Sequence, residues 1–118
     1  MRLLKKETFE GKKVRLYTDG KNLWIPRTDL SNVMGYTHPD SICKQHNRYK
    51  LALNPFTKKA KIPDKNGVKR KITMYSLGGI YLLVYHCTLP GANRFYKYYF
   101  KEYLKFLDSF YNEIQKVS

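Results

Sequence analysis

Acidic residues are scarce: nine Asp and Glu stand against 23 Lys and Arg, for a formal net charge of +14. The nine are scattered and show no paired arrangement for acid–base catalysis. Cysteine occurs twice, and no compact knuckle of metal-ligating residues surrounds either copy. No apolar stretch near the N-terminus is long enough for a secretion signal. No run approaches the ~20 apolar residues that cross a bilayer; the longest is Ile80 to Tyr85. An intracellular chain with reduced thiols is the expectation. No repeat, low-complexity tract or Pro/Gly/Ser linker is visible, so residues 1–118 read as one domain.

What is present is ring and charge. Hydrophobic residues reach 42% and aromatics 15%, with 11 Tyr and 6 Phe, so rings can fill a core poor in Leu and Val. The positive excess calls for a polyanionic partner: DNA, RNA or an acidic membrane surface. A base-composition bias of the source genome is the bland alternative.

Along the chain, Phe9 to Leu16 reads as a strand, with Val14 and Leu16 on one face and Lys13, Arg15 and Tyr17 on the other. Asp19-Gly20 is a turn signal, and Leu23-Trp24-Ile25 is a second strand closed by Pro26. Thr28 is placed to cap a helix from Asp29 to Met34, whose Leu30, Val33 and Met34 form one stripe. Gly35 falls where a helix end needs a left-handed residue. Thr37 with Asp40 resembles a capping box, with Pro39 in the first turn of a helix running from about His38 to Tyr49. Helix, glycine turn, helix is helix-turn-helix grammar, although many small domains share it without touching DNA.

From Lys58 to Tyr75 strand character returns around Asp64-Lys65-Asn66-Gly67, and Asn-Gly is a strong hairpin signal. Ser76 is placed to cap a third helix over 77–85, apolar nearly all round and expected at the centre of the core. Thr88 and Pro90 begin a last helix reaching Gln115. One stripe on it holds Ala92, Phe95, Tyr99, Phe106 and Phe110; a neighbouring stripe holds Tyr96, Phe100, Leu104, Leu107, Tyr111 and Ile114. That double face is wider than one small domain covers. A homodimer or a second domain is expected to meet it.

Basic residues cluster on the second helix and the second hairpin. Ten lie between Lys44 and Lys71 (44, 48, 50, 58, 59, 61, 65, 69, 70 and 71), against Asp64 as the only acid there. A helix fits a major groove while flanking cations neutralise phosphates. Lys44, Arg48, Lys58, Lys59, Lys61, Lys69, Arg70 and Lys71 are the candidates for phosphate contact. Thr37, His38, Asp40, Ser41, Lys44 and Gln45 lie near the second helix's start, where bases are read. Of these, Thr37, His38, Ser41 and Gln45 are the candidates for base contact. Ile42 and Tyr49 are expected to pack inward. The alternative is a solvated hairpin edge that carries Lys against aggregation.

Other chemistry finds little support. Cys43-x-x-His46 and His86-Cys87 could supply four zinc ligands, but buried structural thiols are the better explanation. No oxyanion-type glycine loop accompanies either Cys/His pair. Gly78-Gly79 lacks the frame of a phosphate loop and reads as a close-packed helix start. No cofactor and no metal are expected.

Several segments, in order, resemble the Bro-N domain of baculovirus Bro proteins and phage or prophage antirepressor-type proteins. They are Val14-Arg15, then Leu23-Trp24-Ile25-Pro26-Arg27-Thr28-Asp29-Leu30, then Met34-Gly35-Tyr36-Thr37-His38-Pro39. Gly79-Ile80-Tyr81-Leu82-Leu83-Val84 is similar to the family's "GLYRLI" block. Pro90-Gly91-Ala92-Asn93-Arg94-Phe95 with Tyr98 is similar to its "P-x-A-x-x-F-x-x-W" helix. The likeness covers about residues 8 to 107, leaving 108–118 as a helical extension. Departures fall at Leu77-Gly78, where an acidic residue is common, at Leu82 in place of Arg, and at Tyr98 in place of Trp. The resemblance implies DNA binding in viral or mobile-element transcription control, no enzyme, and often a second C-terminal domain. It implies a bacterial cytoplasm for a phage-derived chain, or a host nucleus for one from a eukaryotic virus.

Together these readings give an α+β chain: small antiparallel hairpins with a helix-turn-helix-like pair, a buried third helix and a long last helix. Double-stranded DNA is the expected partner. Capture of a repressor by the aromatic last helix is the rival, and single-strand or RNA binding on exposed tyrosines is a third reading.

Overall fold

The computed structural model describes residues 1–38, 40–64 and 66–117, side chains of Phe110 and 113–117 excepted. Glu10 and Gly11 both take positive φ, 49° and 79°, which is what a two-residue hairpin turn matched to strand twist requires. Strand β1 (Arg2–Phe9) therefore folds back on β2 (Lys12–Thr18), with Phe9 opposite Lys12. The strand expected from Phe9 to Leu16 is thus β2 alone, beginning at Lys12; Phe9 ends β1, an unexpected strand. Asp19 builds the next turn by accepting the backbone N–H groups of Lys21 and Asn22, each at 2.9 Å. That turn leads into β3 (Leu23–Pro26).

Helix α1 (Arg27–Met34) starts one residue after Pro26, whose extended backbone serves as its N-cap. Thr28 sits inside the first turn and does not cap it; its hydroxyl reaches Asp29 at 3.4 Å. Asp29 faces backwards and clamps β2, accepting from the Arg15 backbone N–H, Nε and Nη2 at 2.8, 3.0 and 3.0 Å. Gly35 ends α1 at φ 92°. Gly35 N–H donates to Asn32, and Tyr36 N–H to Ser31, which closes the orphan carbonyls.

Helix α2 (Ser41–Arg48) is shorter than the sequence suggests and starts three residues later. Asp40 occupies the cap position without a side-chain bond, and its N–H is taken by His38 Nδ1 at 3.2 Å. The expected Thr37–Asp40 box does not form, because the first turn it would close is not helical. Pro39 lies outside the described residues. A one-turn helix α3 (Lys50–Leu53) and a 3-10 turn (Asn54–Phe56) then lead into β4 (Thr57–Pro63) and β5 (Lys69–Tyr75).

The strands form one antiparallel sheet in the order β1-β2-β3-β5-β4, joined at its middle by Ile25 opposite Tyr75 and Pro26 opposite Met74. Pro26 is the last residue of its strand, where a missing N–H costs little. The expected α+β class is what the chain has. Helix α4 (Leu77–Tyr85) packs Ile80, Leu83 and Val84 into the core. Its other face is open: Tyr81 is 50% and Tyr85 71% exposed, so α4 is a core wall rather than a buried rod. Ser76 holds the cap position, but its hydroxyl donates to the Phe56 carbonyl at 3.3 Å rather than to the helix. Gly78 allows this approach, since a Cβ there would stand 2.5 Å from the Phe56 ring.

Helix α5 (Pro90–Val117) seals the core with Ala92, Phe95 and Tyr99. Phe9 packs edge-on against Phe95 and stacks on Tyr98, with centroids 5.4 and 5.0 Å away. The fully buried Phe95 ring is worth roughly 2–3 kcal/mol of transfer free energy, and the partly buried Phe9 and Tyr98 less. Of the second stripe of α5, Tyr96 packs partly on the core, Phe100, Leu104, Leu107 and Tyr111 are exposed, and Ile114 lies outside the described side chains. No helix among the described residues is long and apolar enough to cross a membrane.

Candidate nucleic-acid interface

Strand register sorts the basic hairpin into two faces. In an antiparallel pair, residues directly opposite share a face, and alternate positions switch it. Thr57 pairs with Tyr75, Lys59 with Thr73, Lys61 with Lys71, and Pro63 with Lys69. Those rungs share the helix-side face and rise about 7 Å apart. Lys58 pairs with Met74, Ala60 with Ile72, and Ile62 with Arg70 on the reverse face. There Ile62 and Met74 pack into a small apolar cluster with Tyr17 and Trp24.

The two faces differ in how their charge is compensated. On the reverse face, Lys58 bonds Asp19 at 3.0 Å and lies 5.6 Å above the Trp24 ring. Arg70 bonds Asp64 at 2.8 Å. Burial alone would raise Asp19; the Asn22 and Lys21 N–H groups and the Lys58 ammonium outweigh it and lower its pKa. The Arg70 guanidinium, ahead of other partners, lowers Asp64. On the helix side, Lys59, Lys61, Lys69 and Lys71 are exposed, and none makes an ion pair among the described residues.

Helix α2 has three faces. Ile42 is fully buried. Cys43, His46 and Asn47 turn toward the hairpin and, with Arg27, Lys50, Asn54, Thr57, Lys58, Lys59 and Thr73, line a cleft of about 370 Å³. Lys44 and Arg48, one turn apart, stand exposed beside that wall. Ser41 and Gln45 instead line a separate hollow with Tyr36, Thr37, His86, Cys87, Thr88 and Leu89. His38 is exposed, 3.9 Å from Asp40. The structure therefore brings Lys59 together with α2, places Lys61, Lys69 and Lys71 on the same sheet face, and leaves Lys44 and Arg48 exposed on a different face of α2 from the cleft. It sets Thr37, Ser41 and Gln45 on the other side of α2, and Lys58 and Arg70 on the reverse of the hairpin.

Two cleft residues, Arg27 and His46, bond the buried Tyr75 in a cluster that sequence reasoning did not assemble. Arg27 donates through Nε and Nη2 to the Tyr75 hydroxyl at 3.0 and 2.9 Å. The same hydroxyl lies 2.8 Å from His46 Nδ1, and Arg27 Nη2 lies 3.2 Å from it. A ring nitrogen facing two donors acts as acceptor, so the neutral ring carries its proton on Nε2. Burial first, then the Arg27 charge, lowers the His46 pKa below its ordinary value. Burial raises the Tyr75 phenol, against the pull of Arg27. Arg27, the stretch holding His46 and Lys50, and Tyr75 are far apart in sequence; Lys50 was legible only as part of the basic cluster and His46 only as half of a metal pair.

The candidate metal pairs have other partners. His46 is engaged by Tyr75 and Arg27, while His86 stacks on Tyr49 at a centroid distance of 3.8 Å. Among the described residues, no three His, Cys, Asp or Glu side chains form a group that could hold a metal ion.

The geometry thus defines an α+β chain with a cationic, acid-free face built from one short helix and one hairpin. Residues 13–105 match the BRO family, N-terminal domain, and the chain belongs to that family. A search of curated proteins found no match, and neither did a search of solved structures.

Proposed function

We propose that this chain is a duplex-DNA-binding module, without enzymatic activity, of a phage- or virus-type transcription regulator. It works as a single domain in the cytoplasm of a bacterial host, or in a host nucleus if the virus is eukaryotic. One observation carries the reading: register puts Lys59, Lys61, Lys69 and Lys71 on one face, free of acids and next to α2. Lys44 and Arg48 add exposed cations on another face of α2. Cations in this arrangement displace counterions from a duplex backbone. The hairpin strands expose no tyrosine, since Tyr75 is buried; this favours backbone contact over the stacking that single strands use.

The test is a titration of labelled duplex, single strand and RNA across a salt series. With about six phosphates neutralised, log K for duplex falls with log salt at a slope near −5. No duplex binding at low salt, or a flat slope, refutes the reading. A second reading rests on the exposed Phe100, Leu104, Leu107 and Tyr111 of α5. In it the chain captures a repressor through that stripe, and its charge steers encounter. A Leu104→Asp/Leu107→Asp variant that binds duplex normally but loses regulatory output favours this second reading.

A further inference from the structure

Arg15, Arg70 and Arg94 are each closed on a carboxylate, from Asp29, Asp64 and Glu10 respectively. Arg27 is not. It is half-buried and fixed by two neutral groups, the Tyr75 hydroxyl and the His46 ring. Its Nε and Nη2 are occupied by these bonds, and its Nη1 has no hydrogen-bond partner among the described residues. A partly desolvated charge without a counter-charge is unfavourable until an anion joins it. The cleft around it, about 370 Å³, is lined by Lys50, Lys59, Thr57 and Thr73 among others, and by no Asp or Glu among the described residues. The guanidinium is held in place already, so binding there costs little side-chain ordering.

We propose that this cleft seats one backbone phosphate of the nucleic acid on Arg27, with Lys50 and Lys59 closing over it. The inference rests on the DNA-binding reading and assigns to it an anchor deeper than the surface lysines. The ligand is a backbone phosphate rather than a free anion because the Lys59 rung continues outward into the Lys61/Lys71 and Lys69 rungs of the same face. The anchored phosphate therefore sits at one end of a cationic track. Arginine suits the anchor because Nη1 offers two N–H donors to phosphate oxygens while Nε and Nη2 stay on Tyr75 and His46.

The experiment compares Arg27→Gln, Arg27→Lys and Lys61→Ala/Lys71→Ala in duplex binding across a salt series. Removing a charge-assisted hydrogen bond to phosphate weakens binding roughly tenfold to hundredfold. Arg27→Gln is expected to do so and to flatten the salt slope by about 0.9. Arg27→Lys is expected to restore the slope but not the full affinity. If Arg27→Gln keeps wild-type affinity and slope while the lysine pair loses both, the anchor is overturned and DNA binding survives. If the wild-type chain shows no salt-dependent duplex binding, both fall. Should Arg27→Gln fail to fold, the Arg27 side-chain 15N signals of the wild-type chain decide. They shift when a short duplex is added if the anchor exists; unmoved signals at saturation overturn it.

Discussion

Two double variants remove equal charge from opposite faces of one hairpin. Lys61→Ala/Lys71→Ala takes both lysines of one rung from the acid-free face, and Lys58→Ala/Arg70→Ala takes the two acid-paired cations from the reverse. Each double lowers the net charge by two, so a protein that binds through bulk charge responds alike to both. On a directional surface the first double leaves two phosphates unneutralised, and its salt slope drops by about 1.8. Extrapolated through one decade of salt, near 0.1 M, that is about 60-fold in affinity, or ~2.4 kcal/mol. The second double leaves Asp19 and Asp64 without their cationic partners but still bonded to backbone N–H groups, and its slope stays within about half a unit of wild type. Fluorescence anisotropy with a labelled duplex from low to moderate salt measures both slopes, and far-UV circular dichroism checks that each double folds. Equal slope losses in the two doubles would refute the register argument outright.

Three further outcomes follow from the same geometry. Because burial and Arg27 lower the His46 pKa, the unfolded chain takes up the proton first as pH falls below about 6.5. Stability is then complete above that pH and declines below it, and urea midpoints at pH 7 and 5 should differ less in His46→Gln than in wild type. Asp29→Ala strands the Arg15 guanidinium and the Arg15 N–H, both now held by one buried carboxylate. It should cost roughly 2 kcal/mol after allowance for Arg15's partial exposure, read from denaturant unfolding; a loss under about 0.5 kcal/mol contradicts the clamp. Gly78→Ala gains about 1 kcal/mol of helix propensity but drives a Cβ into the Phe56 ring. Overpacking of about 1–3 kcal/mol should leave the variant with a lower melting temperature, and a higher one would show that the ring moves aside freely.

The sequence made legible whatever local chemistry specifies. Gly35 is left-handed where its position after a helical stripe required it, and Asn66-Gly67 turns the basic hairpin. The two stripes of α5 divide as their spacing suggests: Ala92, Phe95 and Tyr99 go inward, and Phe100 and Leu104 do not. Strand β1 stayed hidden because its pairing shifts register between Leu3 and Lys5, which breaks the alternation that marks a strand. It is also an edge strand that buries little. The missing side-chain cap bonds share a cause, although the third helix does start at Leu77 as expected. Thr28, Thr37 and Ser76 are good caps by type, but the bonds within reach were to Asp29 or to the Phe56 carbonyl, or the turn was not helical. The cleft was illegible because it gathers α1, α2, α3 and both hairpin strands, and because His46 read as half of a metal pair. What the sequence could show was that the hairpin is basic; which of its cations are free depends on register and on Asp19, 39 positions before Lys58.

At the end of the sheet opposite β1 lies β4, whose outer edge has no neighbouring strand among the described residues. Such an edge invites a second chain to add to it, and lysine is one of the side chains that prevent this. Lys59 and Lys61 stand on that strand. The charges that would hold a nucleic acid therefore also keep copies of the protein apart. Neutralising them, by mutation or by acetylation, is expected to weaken binding and promote self-association at once. Once a polyanion covers those lysines, the edge is shielded by the ligand instead. Solubility and binding thus draw on the same few ammonium groups, and crowding the protein without its partner tests the first of these roles.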